Sequence, residues 1–491
     1  MIAPLLAVAA ATAGPADAAL LGNSYTQFHD LDARVAEALV AMVPTLDAPP
    51  VTVKLTAGGL RLPDHVARLD PERGEAAWQD TFAPGAAWGF VVLQDQSQVP
   101  GFPQTNPTWQ ASRDAAVVLD GVAEGAGAHA VLLLTWGRRT GDDTNPDLYP
   151  DFSTMQGRLT DGTVAYADAI EAADPSRRPT VAPAGPAFAV LHDDAVAQGD
   201  DPTHPDSAFS SLYEPDGSHP SVAGSTLAAH VIAASLSGWP ATGAAPPTGL
   251  SAETLAALQG AADAAVFSEP FGRWGFAWAV SWAEVADEAA GGALSHAWMR
   301  RHVQVDDTES VGDLSLQATV LVVSSGGELT TGALTCDLPS ALQVDGGALS
   351  MRATTCPISV LDGTLSFSGD DPTAGALDLG AAGRWETGDA TLEVAGGGRL
   401  AGTVQLDARV AAGWVLARFD DRPDLDGVQV EPSGFGLDLV EDAGAWSVVV
   451  SAHADEPDSG TPDDPPATSA DRSAGASGGC GGGGAVALLP L

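Results

Sequence analysis

Leu20-Leu-Gly-Asn-Ser-Tyr-Thr26 sets an apolar run, a Gly-Asn turn and a serine in direct succession. The run reads as the end of a buried strand, and the residues after the turn read as the start of a helix. A nucleophile benefits from that junction, because backbone N–H groups at a helix start can hold an oxyanion. Gly22-Asn-Ser24 alone is weak, since most such triplets are ordinary turns. Its weight depends on what the rest of the chain supplies.

A serine nucleophile needs a base to take its proton and a carboxylate to orient that base. Asp216-Gly-Ser-His219-Pro220, just before a helix starting near Val222, offers both on one loop. Taken alone, the segment reads as an Asx turn capping that helix. Asp201-Pro-Thr-His204-Pro205 has the same spacing but lies among acids and prolines with no clear helix after it, so it reads as loop. Gly475-Ala-Ser-Gly-Gly479 matches G-x-S-x-G, yet sits in low-complexity sequence without the strand–turn–helix context that motif requires. Two further segments follow strand-like runs. In Ala57-Gly-Gly-Leu-Arg-Leu-Pro-Asp-His65 a glycine would let a backbone N–H approach a substrate closely. In Leu93-Gln-Asp-Gln-Ser97 an amide side chain would donate to an oxyanion.

Val51–Leu55, Trp88–Leu93 and Ala130–Thr135 are short, β-rich and bounded by Gly or Pro, so they read as buried strands. Leu31–Met42, Pro107–Ala123 and Val222–Leu236 read as helices. The alternation predicts an α/β sandwich with a largely parallel sheet. Ala241–Gly249 is a Pro/Gly-rich break, and Ser251–Ala265 is one more helix with Ser251 as its N-cap.

After about residue 270 helical periodicity fades. Asp313-Leu-Ser-Leu316, Gly327-Glu-Leu-Thr330, Gly332-Ala-Leu-Thr335, Gly347-Ala-Leu-Ser350, Gly363-Thr-Leu-Ser366 and Ala390-Thr-Leu-Glu393 repeat a small unit with a fixed Leu. A unit that cannot bury its own face must stack on its neighbours, which reads as a β-solenoid, with a β-sandwich as the alternative. Cys336 and Cys356 lie twenty residues apart, about one coil. In a solenoid they would stack on adjacent rungs within bonding reach. A disulfide is expected if the chain is exported, and two buried thiols otherwise. Three cysteines spread this way cannot build a four-ligand zinc cage, and neither metal nor organic cofactor is implied.

The chain has 491 residues, ample for several domains. Lys plus Arg number 21 against 64 Asp plus Glu, a net charge of −43. That excludes a generic nucleic-acid binder and disfavours adsorption to anionic membranes. The first 18 residues are apolar and small, ending in Ala16-Asp17-Ala18, which fits a secretory signal without its basic n-region. No later apolar run is long enough to predict a transmembrane helix. Asp455–Ser477 reads as a disordered linker, and a Gly-rich tail containing Cys480 follows.

The order of the four chemical blocks resembles the SGNH (GDSL-type) hydrolase superfamily, most closely its bacterial Gly-Asn-Ser-Tyr/Phe-Thr branch, over about residues 19–240. The resemblance implies a three-layer α/β/α sandwich with a parallel sheet. It implies Ser24 as nucleophile, His219 as base and Asp216 as its orienting acid. It also implies an oxyanion hole from the Ser24 and Gly58 N–H groups and the Gln96 amide, Gln96 standing where the family has Asn. Asn23 replaces the Asp of Gly-Asp-Ser, as in that branch. Tyr25, His65 and Trp136 are expected to line the cleft, with core packing as the alternative for Trp136, and His29 is a further pocket candidate. The other histidines are taken as surface or packing residues. Trp274, Trp278 and Trp282, the Gly/Leu units and Gly413–Val450 are similar in texture to secreted bacterial β-solenoid modules. The Gly-Gly-Cys-Gly tail resembles the start of a bacterial sorting tail, which implies attachment at the cell surface.

The expected organisation is a signal-like segment at 1–18, a hydrolase domain at 19–265, an all-β solenoid-like domain at 270–452, and a linker and tail at 453–491. The expected function is a secreted or cell-surface serine esterase acting on small acyl esters or O-acylated carbohydrates. The alternative is an adhesion or glycan-binding protein whose hydrolase-like domain is inert.

Overall fold

The computed structural model describes residues 14–452 apart from 247–248, 338, 369–371, 388–390, 407–413, 434 and 443. Most of the signal-like stretch, the linker, Cys480 and the 475–479 motif lie outside the described residues. The chain forms two compact units. One comprises the residues up to Asp287 with Leu294–Gln304 and Gln317–Val320, and the other Glu288–Ala293, Val305–Leu316 and the residues from Leu321 onward.

The first unit is built on five parallel strands: β1 (Ala18–Gly22), β2 (Thr52–Thr56), β3 (Phe90–Leu93), β4 (His129–Leu133) and β5 (Thr180–Ala182). Their order is β2-β1-β3-β4-β5. Every residue of β1 and β3 is buried, as expected of strands covered by helices on both faces. Helices α1 (Ser24–Gln27), α2 (Leu31–Met42), α3 (Leu62–Arg68), α4 (Ala76–Thr81), α5 (Pro107–Gly125), α6 (Phe152–Ala173), α7 (Ala184–Gln198), α8 (Val222–Ser237) and α9 (Ala252–Phe267) follow in turn. α5 packs on α3 and α6, while α8 packs on α2, α7 and α9. Residues 223–237 of α8 are all buried, which explains why that helix is apolar on every side. In this strand order the chain reverses direction across the sheet between β1 and β3. Such a switch point opens a crevice at the carboxyl ends of the strands.

Two expectations about the boundaries need correcting. The end of Ala16-Asp17-Ala18 is tied into the sheet, with Ala18 opening β1 and Asp17 directly before it. Ala18 pairs with Thr52 and Phe90, and Asp17 accepts N–H bonds from Val51, Gly89 and Phe90. A chain starting at Ala19 is therefore expected to be about 3 kcal/mol less stable than one starting at Gly14, at about 1 kcal/mol per lost hydrogen bond. Urea denaturation of the two forms checks this, and coincident midpoints would refute it. Second, Trp274, Trp278 and Trp298 belong to the core of the first unit. Trp278 is fully buried and donates to the Ser235 carbonyl at 2.9 Å, and Trp239 donates to the Trp298 carbonyl at 2.9 Å.

The second unit contains a β-solenoid. Strands Thr308–Val311, Glu328–Cys336, Ala341–Thr354, Pro357–Phe367, Ala376–Glu386, Thr403–Gln405 and Gln429–Glu431 stack in parallel. Leu329, Leu349, Leu365, Trp385 and Val404 fall in one register and form a buried column. The repeated Leu of three of the sequence units, Leu329, Leu349 and Leu365, is this inward position, while Leu314 and Leu334 pair in a second register. Cys336 and Cys356 are disulfide-bonded, with Cα atoms 4.9 Å apart. An antiparallel hairpin of Phe435–Asp442 and Ala445–Ala452 follows.

Candidate active site

The site begins where β1 ends. Gly22 must be glycine, because a Cβ there would lie 2.2 Å from Thr26 Oγ1 and 2.7 Å from Gln94 Oε1. Asn23 is then held by its backbone N–H and by both ends of its side-chain amide. Its backbone N–H donates to Gln94 Oε1 at 2.9 Å, and its Oδ1 accepts from Tyr25 N–H at 3.0 Å, capping α1. Its Nδ2 donates to the Leu60 carbonyl at 3.0 Å and the Asp95 carbonyl at 3.3 Å. One amide side chain thus ties the loops after β2 and β3 to the serine turn. The acceptor-only carboxylate of Asp could not donate both of those bonds. Ser24 follows as the first residue of α1, so its N–H has no intrahelical acceptor.

The second half of the site is the loop before α8. Gly217 adopts φ +68°, a left-handed conformation that favours glycine. This turn lets Asp216 Oδ1 accept from the N–H groups of Ser218 at 2.9 Å and His219 at 3.0 Å. Asp216 Oδ2 lies 2.5 Å from His219 Nδ1, and His219 Nε2 lies 2.9 Å from Ser24 Oγ. Partial burial pushes the Asp216 carboxyl up. The bonds from the His219 side chain and from the backbone N–H groups of Ser218 and His219 outweigh it and hold the group below the usual carboxylate range. An ionised Asp216 keeps the imidazole proton on Nδ1, which leaves Nε2 as the acceptor facing Ser24. Ser221 caps α8, and Gly224 fits there because a Cβ would strike the Leu212 carbonyl at 2.2 Å.

Aromatic rings fix the loop. Phe28 stacks on His219 at 4.4 Å, one helical turn beyond Ser24. Tyr25 stacks on Trp136 at 4.9 Å, and Trp136 on Phe188 at 4.5 Å. Tyr25 Oη lies 2.7 Å from Ser218 Oγ, and Trp136 Nε1 donates to the Ser218 carbonyl at 3.2 Å. Both rings are buried, so they support the base from behind instead of lining a cleft. His65 is likewise fully buried. Its Nδ1 accepts from Trp78 Nε1 at 3.0 Å, and burial pushes its pKa down to about 4, keeping it neutral. It packs where a substrate contact was expected. His29 pairs with Glu214 at 3.1 Å, and Asp201 accepts from Thr203 with His204 exposed beside it.

The two remaining expected oxyanion donors sit on the neighbouring loops. Gly58 lies on the exposed Ala57–Leu60 turn, with open space around it. Gln96 is half-buried. Its Oε1 accepts from Gln98 N–H at 2.9 Å, which leaves the NH₂ end as a donor. The residue that sequence reading passed over is Asp95. It is buried, and its carboxylate accepts from Leu62 N–H, Gln96 N–H, Ser112 Oγ and Tyr166 Oη. It thereby sets the loops after β2 and β3 against α5 and α6. Its place between Gln94 and Gln96 gave no hint of burial. Among the described residues no group of His, Cys, Asp and Glu side chains could hold a metal ion, and no helix is long and apolar enough to cross a membrane.

The blocks after β1, β2 and β3 are joined by the Asn23 bonds to Leu60 and Asp95, and the Asp-x-x-His loop before α8 meets them at Ser24, in a 2-1-3-4-5 parallel sheet. The parallel sheet with helices on both faces fits the α/β/α sandwich expected from the sequence. No protein-family model matches the sequence, and no curated protein matches it significantly. Solved structures similar to the chain include a protein from Slackia heliotrinireducens assigned as an SGNH hydrolase, with 28% identity over 44% of this chain and 97% of that one, at a TM-score of 0.32. A DUF4886 family protein from Bacteroides uniformis shares 18% identity over 52% of this chain and 96% of that one, at 0.37. An acetylxylan esterase from Geobacillus stearothermophilus shares 15% over 45% and 93%, at 0.31. The α/β/α sandwich occupies the first unit, and the solenoid lies after it in the chain.

Proposed function

We propose that this chain is an exported serine ester hydrolase. The observation that carries the reading is the unbroken hydrogen-bond chain from Asp216 through His219 to Ser24 Oγ. His219 Nε2 takes the Ser24 proton as Oγ attacks an ester carbonyl, and it then protonates the departing alcohol. Asp216 holds the imidazole in the tautomer that step needs. The N–H groups of Ser24 and Gly58 and the Gln96 amide receive the developing oxyanion. Water, activated by the same histidine, releases the acyl group. The Cys336–Cys356 disulfide supports an oxidising compartment. Small acyl esters and O-acyl groups on carbohydrates are the proposed substrates, as surface-accessible esters that an exported acidic protein would meet.

A fluorophosphonate probe tests the nucleophile directly. The expected result is one covalent adduct on Ser24, absent from the Ser24→Ala variant. A folded wild type that stays unlabelled would overturn the reading and favour a glycan-binding role.

A further inference from the structure

Arg139 lies against the acid–base loop with its charge unclaimed. Its backbone N–H donates to the Gly217 carbonyl at 2.9 Å. Its Cβ, Nε and Nη2 each come within 3.6 Å of where a Gly217 side chain would begin. The guanidinium therefore lies along the face of the turn that carries Asp216 and His219. It is half-buried, and among the described residues it makes no side-chain hydrogen bond and no ion pair. Most arginines of the first unit are paired. Arg138 is paired with Asp142, Arg61 with Asp64, Arg68 with Glu75, and Arg177 with Asp120 and Glu124. In a chain with 64 acids and 21 Lys and Arg, carboxylates are abundant.

The loop is built to hold that position. Asp142 is buried and accepts from Arg138, Gln98 Nε2, Thr144 N–H and Asn145 Nδ2. Gly141 takes φ +84°, packed against the Tyr149 carbonyl and Asp151 N. Arg139 is thus fixed by its own N–H on one side and by the Arg138–Asp142 anchor on the other.

We propose that Arg139 binds an anionic group on the substrate, a carboxylate carried by the alcohol part of the ester, as in an O-acylated acidic sugar. The inference rests on the hydrolase reading for its side of the bond. His219 protonates the leaving alcohol, and Arg139 lies against the loop that carries His219. A guanidinium suits a carboxylate through two parallel N–H bonds. The local charge also offsets the repulsion that a net charge of −43 exerts on any anion.

The test compares 3-acetoxybenzoate with its methyl ester, which share the acyl group and the aromatic alcohol and differ in the carboxylate. In the full chain, kcat/KM is expected to favour the acid. Arg139→Gln is expected to lower the acid-to-ester ratio by about 10–100-fold, and Arg139→Lys to restore part of it. Taking the ratio cancels any loosening of the Asp216–His219 loop, which slows both substrates alike. Adding salt should shrink the wild-type preference. No wild-type preference, or a ratio unmoved by Arg139→Gln, overturns the proposal. Binding of 3-acetoxybenzoate to Ser24→Ala, with and without Arg139→Gln, reads the subsite without turnover. A tenfold or greater loss of affinity supports the subsite even if the wild type cleaves neither ester, an outcome that would sink only the hydrolase reading. Equal affinities overturn the subsite.

Discussion

Ser24→Ala and His219→Ala are each expected to lower kcat for 4-nitrophenyl acetate and butyrate by about 10⁴–10⁶, close to the limit of detection. The two should lose nearly the same amount, because nucleophile and base act as one unit. Removing either leaves only the oxyanion donors and substrate binding. The double variant should then be no worse than the singles. Asp216→Asn is the sharper probe. Its Oδ1 can still accept from the N–H groups of Ser218 and His219, so the turn keeps its cap. Its NH₂ would replace the oxygen that now faces His219 Nδ1. Two donors cannot share that bond, so the imidazole must move its proton to Nε2, the atom that should accept from Ser24. A loss of about 10⁴ in kcat with little change in KM is expected. Thermal melts of each variant separate lost chemistry from lost folding. A folded Ser24→Ala or His219→Ala protein that retains more than about a hundredth of wild-type turnover would refute the triad.

The parallel sheet was readable because β1, β3 and β4 are uninterrupted apolar runs between turn residues, a pattern local to each segment. The solenoid was readable for a related reason. Its inward Leu recurs once per strand, and Leu329, Leu349 and Leu365 stack in one column. The serine and the Asp-x-x-His loop were readable from their place next to predicted elements. The misread residues depend on partners distant in sequence. Whether His65 faces a cleft or the core is decided by Trp78, thirteen residues on, which occupies its Nδ1. Tyr25 has the composition of a substrate wall, yet Trp136 stacks on its face and Ser218 claims its hydroxyl, while Trp136 takes the packing role that was its alternative. The strand start was misplaced because small apolar residues suit a signal cleavage site and a buried strand equally well. Asp95 shows the limit most clearly. A carboxylate between two glutamines looks solvated until three donors from other parts of the chain, and one from its neighbour Gln96, close around it.

That carboxylate also gives the largest expected effect on stability. Burial pushes the Asp95 pKa up to about 6 from an ordinary 3.8, although the N–H groups of Leu62 and Gln96 and the hydroxyls of Ser112 and Tyr166 favour its charge. The sign follows from proton counting. Below about pH 4 the group is protonated both folded and unfolded. Between about 4 and 6 the folded chain holds a proton that the unfolded chain has released, so this group's contribution falls as pH rises. Above about 6 both states are ionised, and the folded state bears the full cost of a buried charge, about 3 kcal/mol relative to acid conditions. Asp95→Asn removes the titration and keeps an acceptor for Leu62 and Gln96, while its NH₂ can donate to the Tyr166 oxygen. Urea denaturation from pH 4 to 7 should therefore show the Asn variant gaining about 3 kcal/mol on the wild type across that range. Taking the difference between the two proteins cancels the titration of the other carboxylates. Asp95→Ala strands all four donors and should cost several kcal/mol at every pH. A flat difference curve for Asp95→Asn would mean that Asp95 is solvated. The loops after β2 and β3 would then have to be held in register by Asn23 alone.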